Sequence, residues 1–566
     1  MAFDGFITKA VITELNSSIV GGKINKIYEP TKNEIILSVY NNGENFLLEL
    51  STNPESCRIC LTTHTKPNPQ NAYNFCMLLR KYLTGSKIIE ISNYDLERTV
   101  RITFEGYNEL NDLVRKNLYI EIMSRQSNII LTNENNIIID TLKHFDNSKR
   151  ELLPAHEYTF TPINKKSFLE IDNLNDFINI VKNESDISIS KTLCNIFIGF
   201  SKPLVKESLK KLSIDDSEFS DSNLQKLYYH LKNITYNFGS ANISCISSGK
   251  KDFTLGLEKN DKNLNINYFI DDFYYEKEQI SIFINSRNNL LKIVSSNLKK
   301  VYKKLENINQ KLKECEDMDK FRLYGELLTA NLYKISSNSN EESISLENYY
   351  DNNSLIKIPL DKSISIQKNI QKYFKKYNKL KNALVIVSEQ KKDAEKELDY
   401  IGSIVFSLEN ARTIHDLNEI YQEISENITT KKEVLKNQKN IQKKKFIDTS
   451  SDFETIEFEG YTIYIGKNNI QNDYISLKLA RPNDIWFHTQ KIHGSHILLK
   501  NPENLDFSDI SENVLYKCAF LAKVNSKAAL ATNVSVDYCF ARYVKKVSGA
   551  KPGMVIYTNF KTIIVK

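Results

Sequence analysis

Apolar residues recur at alternating steps of three and four through two stretches near the middle of the chain. Leu291, Val294, Leu298, Val301, Leu305, Ile308, Leu312 and Cys315 form the first. Tyr377, Leu380, Leu384, Val387, Ala394, Leu398, Ile401, Val405 and Leu408 form the second, with Lys391 in one core slot. That rhythm, kept over several heptads, predicts a coiled-coil seam. Extended back to Ile284, the first run matches the second in length, and at ~1.5 Å per residue each rod measures on the order of 50 Å. Two equal rods around a segment without heptads predict an antiparallel hairpin, an arm over 276–430. Between them, at about 320–365, lie Tyr324-Gly-Glu-Leu-Leu-Thr-Ala-Asn331, a Ser/Asn-rich loop and Ile356–Leu360, which read as a small folded tip.

Residues 1–165 read as a β-rich domain, with helical spacing at Phe6–Ile19 and Asn71–Tyr82. Alternating strands are predicted at Lys23–Tyr28, Glu34–Tyr40, Phe46–Leu50, Ile88–Ile91, Arg98–Phe104, Leu118–Ile122, Asn128–Leu131 and Ile137–Ile139. Strands within 243–275 are expected to complete this sheet. Residues 166–242 read as a helical insert, in which Gly199-Phe-Ser-Lys202-Pro resembles the turn of a helix-hairpin-helix module. After the arm comes a basic linker, Lys431 to Lys445, with one acid. Residues 446–566 then read as a compact α/β module. Strands at Thr462–Gly466 and Ser476–Leu479 precede the stretches Asp484–Thr489 and His493–Leu499, and a helix at Val514–Val524 is followed by strands at Val534–Tyr538, Tyr543–Val547 and Met554–Lys566. The fold class is α+β and multidomain, and 566 residues leave room for three or four domains.

Composition narrows the picture a little. Charged residues make 26% of the chain and apolar ones 41%, as in soluble proteins with long exposed helices. The net charge of +6 hints at a polyanionic partner but is discounted, because lysine is abundant everywhere. No apolar run reaches the ~18 residues of a membrane span. The first residues lack a signal-peptide pattern, and eight cysteines are scattered without a framework, so a cytoplasmic location is expected. Cys57 and Cys60 form a lone CxxC, read as buried small hydrophobes in preference to half a zinc site. Arg98, Arg101, Arg115, Lys116 and Arg125 punctuate the first sheet, either as solvated strand-edge charges or as a nucleic-acid face. From Ala541 onward the chain holds six Lys or Arg and no acid, a one-signed surface suited to phosphate.

Reactive constellations are not legible. His488, His493 and His496 have no HExxH spacing or completing carboxylate, so no metal is expected. No GxxxxGK[ST], GxGxxG or Gly-x-Ser-x-Gly occurs, so neither a cofactor nor a catalytic residue is expected. The residues alone describe a multidomain, RNA-leaning protein with a rigid arm.

Several segments resemble the NFACT family, whose members are often labelled fibronectin-binding proteins. They are Met1-Ala-Phe-Asp-Gly-Phe6, Ile24-Asn-Lys-Ile-Tyr-Glu-Pro30, Phe75-Cys-Met-Leu-Leu-Arg-Lys81, Gly325-Glu-Leu-Leu-Thr-Ala-Asn-Leu-Tyr333 and Tyr373-Phe-Lys-Lys-Tyr-Asn-Lys379. Gly466-Lys-Asn-Asn-Ile-Gln-Asn-Asp473, Asp484-Ile-Trp-Phe-His488, Gly494-Ser-His496 and Gly549-Ala-Lys-Pro-Gly553 extend the match through the last domain. The resemblance implies an N-terminal domain like that of formamidopyrimidine-type glycosylases, and an RNA-binding NFACT-R domain at the C-terminal end. It implies a cytoplasmic, monomeric, ribosome-associated quality-control factor that is not an enzyme. Such proteins bind large ribosomal subunits obstructed by peptidyl-tRNA, through rRNA and the stalk-base region. They recruit alanyl-tRNA and support template-free C-terminal alanine tailing, while peptide transfer belongs to the ribosome.

The resemblance also assigns residues. An Asp-Arg pair that engages tRNA in the family matches Glu97 and Arg98 here, a departure that lengthens the acid. Glu121, Met123 and Arg125 are expected to flank the same tRNA surface. In the last domain, Trp486, His488, His496, Lys545, Lys546 and Lys551 are the candidate RNA-binding residues, with Trp486 packed in the core. The family's Pro-Gly-Ser-His is His493-Gly-Ser-His496 here. Two other readings are a surface adhesin that binds fibronectin, disfavoured by the missing signal peptide, and a DNA glycosylase, disfavoured by Ala2 where those enzymes carry a nucleophilic proline.

Overall fold

The computed structural model describes residues 3–147, 150–161, 164–240, 243–247, 252–257, 265–333, 335, 342–428 and 453–566. The basic linker 431–445 and Ala2 lie outside the described residues. The chain divides into two compact units, Met1–Ser281 and Ile282–Lys566.

The first unit is built on a nine-stranded sheet in the order β4-β3-β2-β1-β5-β6-β7-β8-β9. Its strands are β1 Lys23–Thr31, β2 Glu34–Asn41, β3 Glu44–Ser51, β4 Arg58–Leu61, β5 Lys87–Asn93, β6 Thr99–Tyr107, β7 Leu113–Glu121, β8 Asn128–Asn133 and β9 Ile138–Thr141. Helix α1 (Gly5–Ile19) buries Phe6, Ile7, Ala10, Val11 and Leu15 in the common core. Helix α2 (Asn74–Leu83) packs Phe75, Leu79 and Leu83 there. Four helices, α3 (Leu174–Asn183), α4 (Ile189–Ile196), α5 (Lys202–Lys211) and α6 (Asp221–Tyr236), add their apolar faces to the same core.

Two expectations for this unit are corrected. Ile243–Ser247 and Phe253–Leu257 pair with each other in a separate two-stranded ribbon and do not extend the large sheet. Residues from Ile266 onward are helical, because they begin the long α7 (Ile266–Glu316). The carboxylate of Glu14 on α1 accepts the backbone N–H groups of Ile266 and Asn267, capping that helix start. Further along α7, Glu278 accepts from Arg58 at 2.7 Å and from Lys66 at 2.9 Å.

In the second unit the heptads appear as two antiparallel helices, α7 and α9 (Ile366–Asn410). The most buried seam residues recur every seven: Val294, Val301, Ile308 and Cys315 on α7, and Val387, Ala394, Ile401 and Leu408 on α9. Ile308 packs with Val387 and Ala394, while Leu290 and Val294 share a cluster with Ile404 and Leu408. With 51 and 45 residues the helices are about 76 and 68 Å long, more than the heptads alone implied. At the tip, α8 (Met318–Ala330) folds over a hairpin of Ser343–Asn348 and Ser354–Pro359 around Tyr324, Leu327, Leu328, Leu346 and Ile358.

Helix α10 (Ile414–Asn427) returns beside α9 and is capped by Thr413 and Asp416 in a reciprocal capping box. Beyond it lies a six-stranded antiparallel sheet, ordered Glu454–Phe458, Tyr461–Ile465, Ile497–Leu499, Ile485–Thr489, Val534–Phe540 and Lys561–Val565. The two-residue alternation puts Ile485 and Phe487 in the core shared with Val514, Cys518 and Ala522 of the helix Glu512–Val524, and Trp486 on the opposite face. Ser476–Leu479, expected as a strand, lies in a π-helical turn, Ile475–Leu479. The turn buries Ile475 and Ser476 together, which alternation alone does not foresee.

Candidate functional site

The Glu97–Arg98 pair sits where the 94–97 turn enters β6. The turn closes with Glu97 N–H on the Tyr94 carbonyl at 3.0 Å. The amide of Asn93 donates to the carbonyls of Asp95 and Glu97, at 3.0 and 2.9 Å. Asp95 adopts φ 49°, a left-handed conformation that Asp tolerates better than most residues. Antiparallel register places Thr99 opposite Glu121, and the Ile122 N–H donates to the Arg98 carbonyl at 3.0 Å. The sheet therefore brings Glu97, Arg98, Glu121 and Met123 together at one end of β6 and β7. Arg125 is exposed on the short 3₁₀ turn Ser124–Gln126.

A three-way crossing fixes this turn. The Gly5 N–H donates to the Gly199 carbonyl at 3.0 Å, and both glycines press on Leu96. A Cβ on Gly5 would lie 1.9 Å from the Leu96 carbonyl oxygen, and one on Gly199, whose φ is +78°, would lie 2.3 Å from the same atom. Beside the crossing, Asp4 caps α1 through the Ile7 N–H at 3.0 Å and accepts the Ser201 hydroxyl at 2.5 Å. Burial raises the Asp4 carboxyl to about 6, against the lowering by the Ile7 N–H, the Ser201 hydroxyl and the Arg98 charge. Asp4, Gly5, Gly199 and Ser201 were not among the expected site residues. Their segments stood out in sequence, but nothing in the sequence says that residues almost two hundred apart meet.

The acids here face inward. Glu97 is largely buried, and its carboxyl is raised by burial first and then by the negative charge of Asp95 and Glu121. Glu121 is 1% exposed; it holds Arg150 through two contacts of 2.5 and 2.9 Å and accepts the Tyr158 hydroxyl at 2.8 Å. Its position is thus one of internal support beneath the surface, because a buried carboxylate held this way presents no face to RNA. Met123 accepts the Thr161 hydroxyl on its sulfur at 3.8 Å. The basic face anticipated on this sheet is partly neutralised. Arg115 reaches the directly opposite Glu105 at 3.1 Å, Arg101 reaches Glu90 at 3.1 Å, and Lys116 lies over the Tyr82 ring. Cys57 and Cys60 are buried and free, and burial pushes the Cys60 thiol up.

In the last domain, Trp486 is fully buried, and its indole N–H donates to Ser476 Oγ at 2.9 Å. The same hydroxyl lies 2.7 Å from His496 Nδ1. His488 and His496 lie edge to face at 5.2 Å, and His496 is 2% exposed. Burial, together with the neighbouring His493 charge, lowers His488 to about 4, and burial lowers His496 well below the usual histidine range. Both rings are neutral at physiological pH and supply no charge to a phosphate. Trp486 packs in the core as expected, whereas the internal placement of His496 corrects its expected position near RNA. The lysines lie differently. Lys545 is exposed on the ribbon Val544–Lys545, Lys546 pairs with Asp473, and exposed Lys551 reaches Asn427 at 3.4 Å.

The segment Gly466–Asp473 joins this domain to the arm through polar contacts. Asn468 and Gln471 donate to Glu419 at 2.7 and 2.8 Å, and Asn469 donates to Glu423 and Ser403, both at 2.9 Å. Tyr400 donates to Glu423 at 2.8 Å. Burial raises Glu423 to about 7. His493 lies 3.3 Å from Asp399 and packs on Gly402, so the ring that replaces the family's proline meets the returning arm helix.

Sequence comparisons find similarity along the whole chain. Residues 4–445 match the NFACT N-terminal and middle domains, and residues 452–559 match the NFACT protein RNA binding domain. A Bacillus subtilis relative named Rqc2 homolog RqcH is 33% identical over 576 residues, covering 100% of this chain and 98% of the relative. The Streptococcus pneumoniae protein of the same name is 30% identical over 579 residues, with the same coverage. A cattle protein, coiled-coil domain-containing protein 25, is 33% identical over 119 residues, 21% of this chain and 55% of its own length. Among solved structures, the N-terminal part of the fibronectin/fibrinogen-binding protein from Streptococcus suis is 26% identical, with a TM-score of 0.41, covering 49% of this chain and all of that one. With both matches in order and relatives aligned from end to end, this chain belongs to the NFACT family.

Proposed function

We propose that this protein is a ribosome-associated quality-control factor. It binds large ribosomal subunits obstructed by peptidyl-tRNA, recruits alanyl-tRNA and supports template-free alanine tailing of the stalled chain. It works in the cytoplasm as a monomer and positions tRNA, while the ribosome's RNA transfers the peptide. The full-length similarity to proteins named RqcH, with both NFACT segments in order, carries this reading. The backbone-anchored Glu97–Arg98 turn supports tRNA engagement, since a guanidinium carried on a fixed turn, with Arg125 exposed on the turn after β7, suits phosphate and ribose contacts. The arm tip contacts the subunit near the stalk base, and Lys545, Lys546 and Lys551 face RNA in the last domain. No described helix is long and apolar enough to cross a membrane.

Pull-down of the tagged protein with RNA sequencing tests the reading. Large-subunit rRNA enriched with one tRNA species is expected, and recovery of neither defeats it. Arg98→Ala should abolish tRNA co-purification while leaving rRNA recovery in place.

A further inference from the structure

A cleft of about 740 Å³ opens within the second unit, between the arm and the last domain. Its floor is apolar, with Val301 of α7, Ile401 of α9, Ile428 after α10, and Met554. Its rim carries Lys300, Lys304, Lys396 and Lys551 against two acids, Asp393 and Glu397, and Glu397 lies 3.1 Å from Lys304. One wall is the loop Val547–Lys551 followed by Met554–Ile556. That loop is anchored beyond the cleft, where the Gly553 N–H donates to Asp473 at 3.0 Å. Asp473 in turn holds Lys546, so the wall is fixed to the polar joint and stands ready without a folding step.

We propose that this cleft takes an unpaired nucleotide of an RNA strand, its base against the apolar floor and its phosphates along the lysine rim. The proposal deepens the RNA-binding reading of this unit and rests on it. Three features select that occupant. The volume falls in the range of about 300–1,000 Å³ that small-ligand sites occupy, enough for one nucleotide and part of a neighbour. The rim is net cationic, and lysine rims over apolar surface suit a charged backbone with planar bases better than a neutral ligand. The wall belongs to residues 452–559, the segment that matches an RNA binding domain, so the cleft is built in part by a domain of that family. Base-paired RNA hides its bases, so an apolar floor that takes a base face reads only an unstacked one.

Binding of the full-length protein to a fluorescein-labelled eight-nucleotide oligouridine, with 4-thiouridine at its centre, tests this. Cross-links are expected at 547–556 and at 297–304. Ser548→Trp, an exposed loop change that fills the cleft mouth without touching the core, should weaken binding at least tenfold with unaltered circular dichroism. Lys396→Glu with Lys551→Glu should weaken it similarly and lower the slope of log affinity against log salt by about 1.4, two single-strand phosphate contacts' worth. Wild-type affinity in Ser548→Trp, or cross-links elsewhere, overturns the proposal. So does displacement by an acidic peptide without direct RNA binding. If the wild-type chain ignores the oligonucleotide yet still co-purifies with large subunits, the cleft assignment fails alone; loss of both defeats the quality-control reading too.

Discussion

Replacing Gly5 by alanine adds one methyl group at the tightest point of the first unit. The new Cβ would stand 1.9 Å from the Leu96 carbonyl oxygen, 2.6 Å from the Gly199 Cα and 2.9 Å from the Leu96 carbonyl carbon. All three are backbone atoms, so no side chain can rotate away, and either α1 or the 94–97 turn must move. Overpacking typically costs 1–3 kcal/mol where side chains can adjust, and a backbone clash belongs at the upper end, about 3 kcal/mol. Because Leu96 directly precedes Glu97 and Arg98, the displacement reaches the pair proposed to engage tRNA. Gly43→Ala is the control: Gly43 has positive φ, +87°, and a Cβ there meets nothing within 4 Å. It should cost only the conformational term, about 1 kcal/mol. Hydrogen exchange followed by mass spectrometry on the full chain would report faster opening of peptides covering 5–19 and 94–104 in Gly5→Ala, alongside reduced tRNA co-purification. Gly43→Ala should leave both readouts near wild type. Equal protection and equal tRNA recovery in the two variants would refute the claim that this crossing holds the turn.

Arg150→Ala should destabilise the first unit by about 3–5 kcal/mol, since it strands the buried Glu121 carboxylate; adding Glu121→Gln should restore much of the loss in thermal unfolding. Glu423 is raised from 4.5 to about 7 in the folded state, so between those values the folded chain binds more protons than the unfolded one. Its contribution to stability is therefore fully present below pH 4.5 and lost as pH rises through 7. Glu423→Gln should make Tm fall less steeply than wild type between pH 4.5 and 7, and parallel curves there would contradict this. Deleting one heptad from each arm helix, 309–315 and 380–386, should keep the seam and preserve tRNA binding yet weaken tailing of stalled chains; unimpaired tailing would rule out a spacer role.

Local periodicity settled much of the architecture. The three–four rhythm of Val294–Cys315 and Val387–Leu408 reports helical faces directly, because a seven-residue repeat returns to one side of a helix whatever surrounds it. Period-two alternation likewise located most strands of the first sheet. It failed at Ser476–Leu479, where the demand to bury Ile475 and place the Ser476 hydroxyl between Trp486 and His496 outweighed a strand-like pattern. The two readings of the basic residues on the first sheet stayed open in the sequence for a related reason. Composition counts Arg101 and Arg115, but only register puts Glu90 and Glu105 within reach of them.

Family motifs pointed to Glu97, Arg98 and the C-terminal lysines, whereas only the tertiary structure shows what holds them. The Gly5–Leu96–Gly199 crossing, the Glu121–Arg150 pair and the joint between Asn469 and Glu423 each link residues separated by dozens to almost two hundred positions. A sequence states the chemistry each side chain can offer and the face of its own element on which it lies. Which distant partner it meets, and whether that meeting buries a charge or leaves it to solvent, depends on chain crossings that no local pattern encodes. That is why the arm was legible at once, and why the burial of Glu121 and His496 was not.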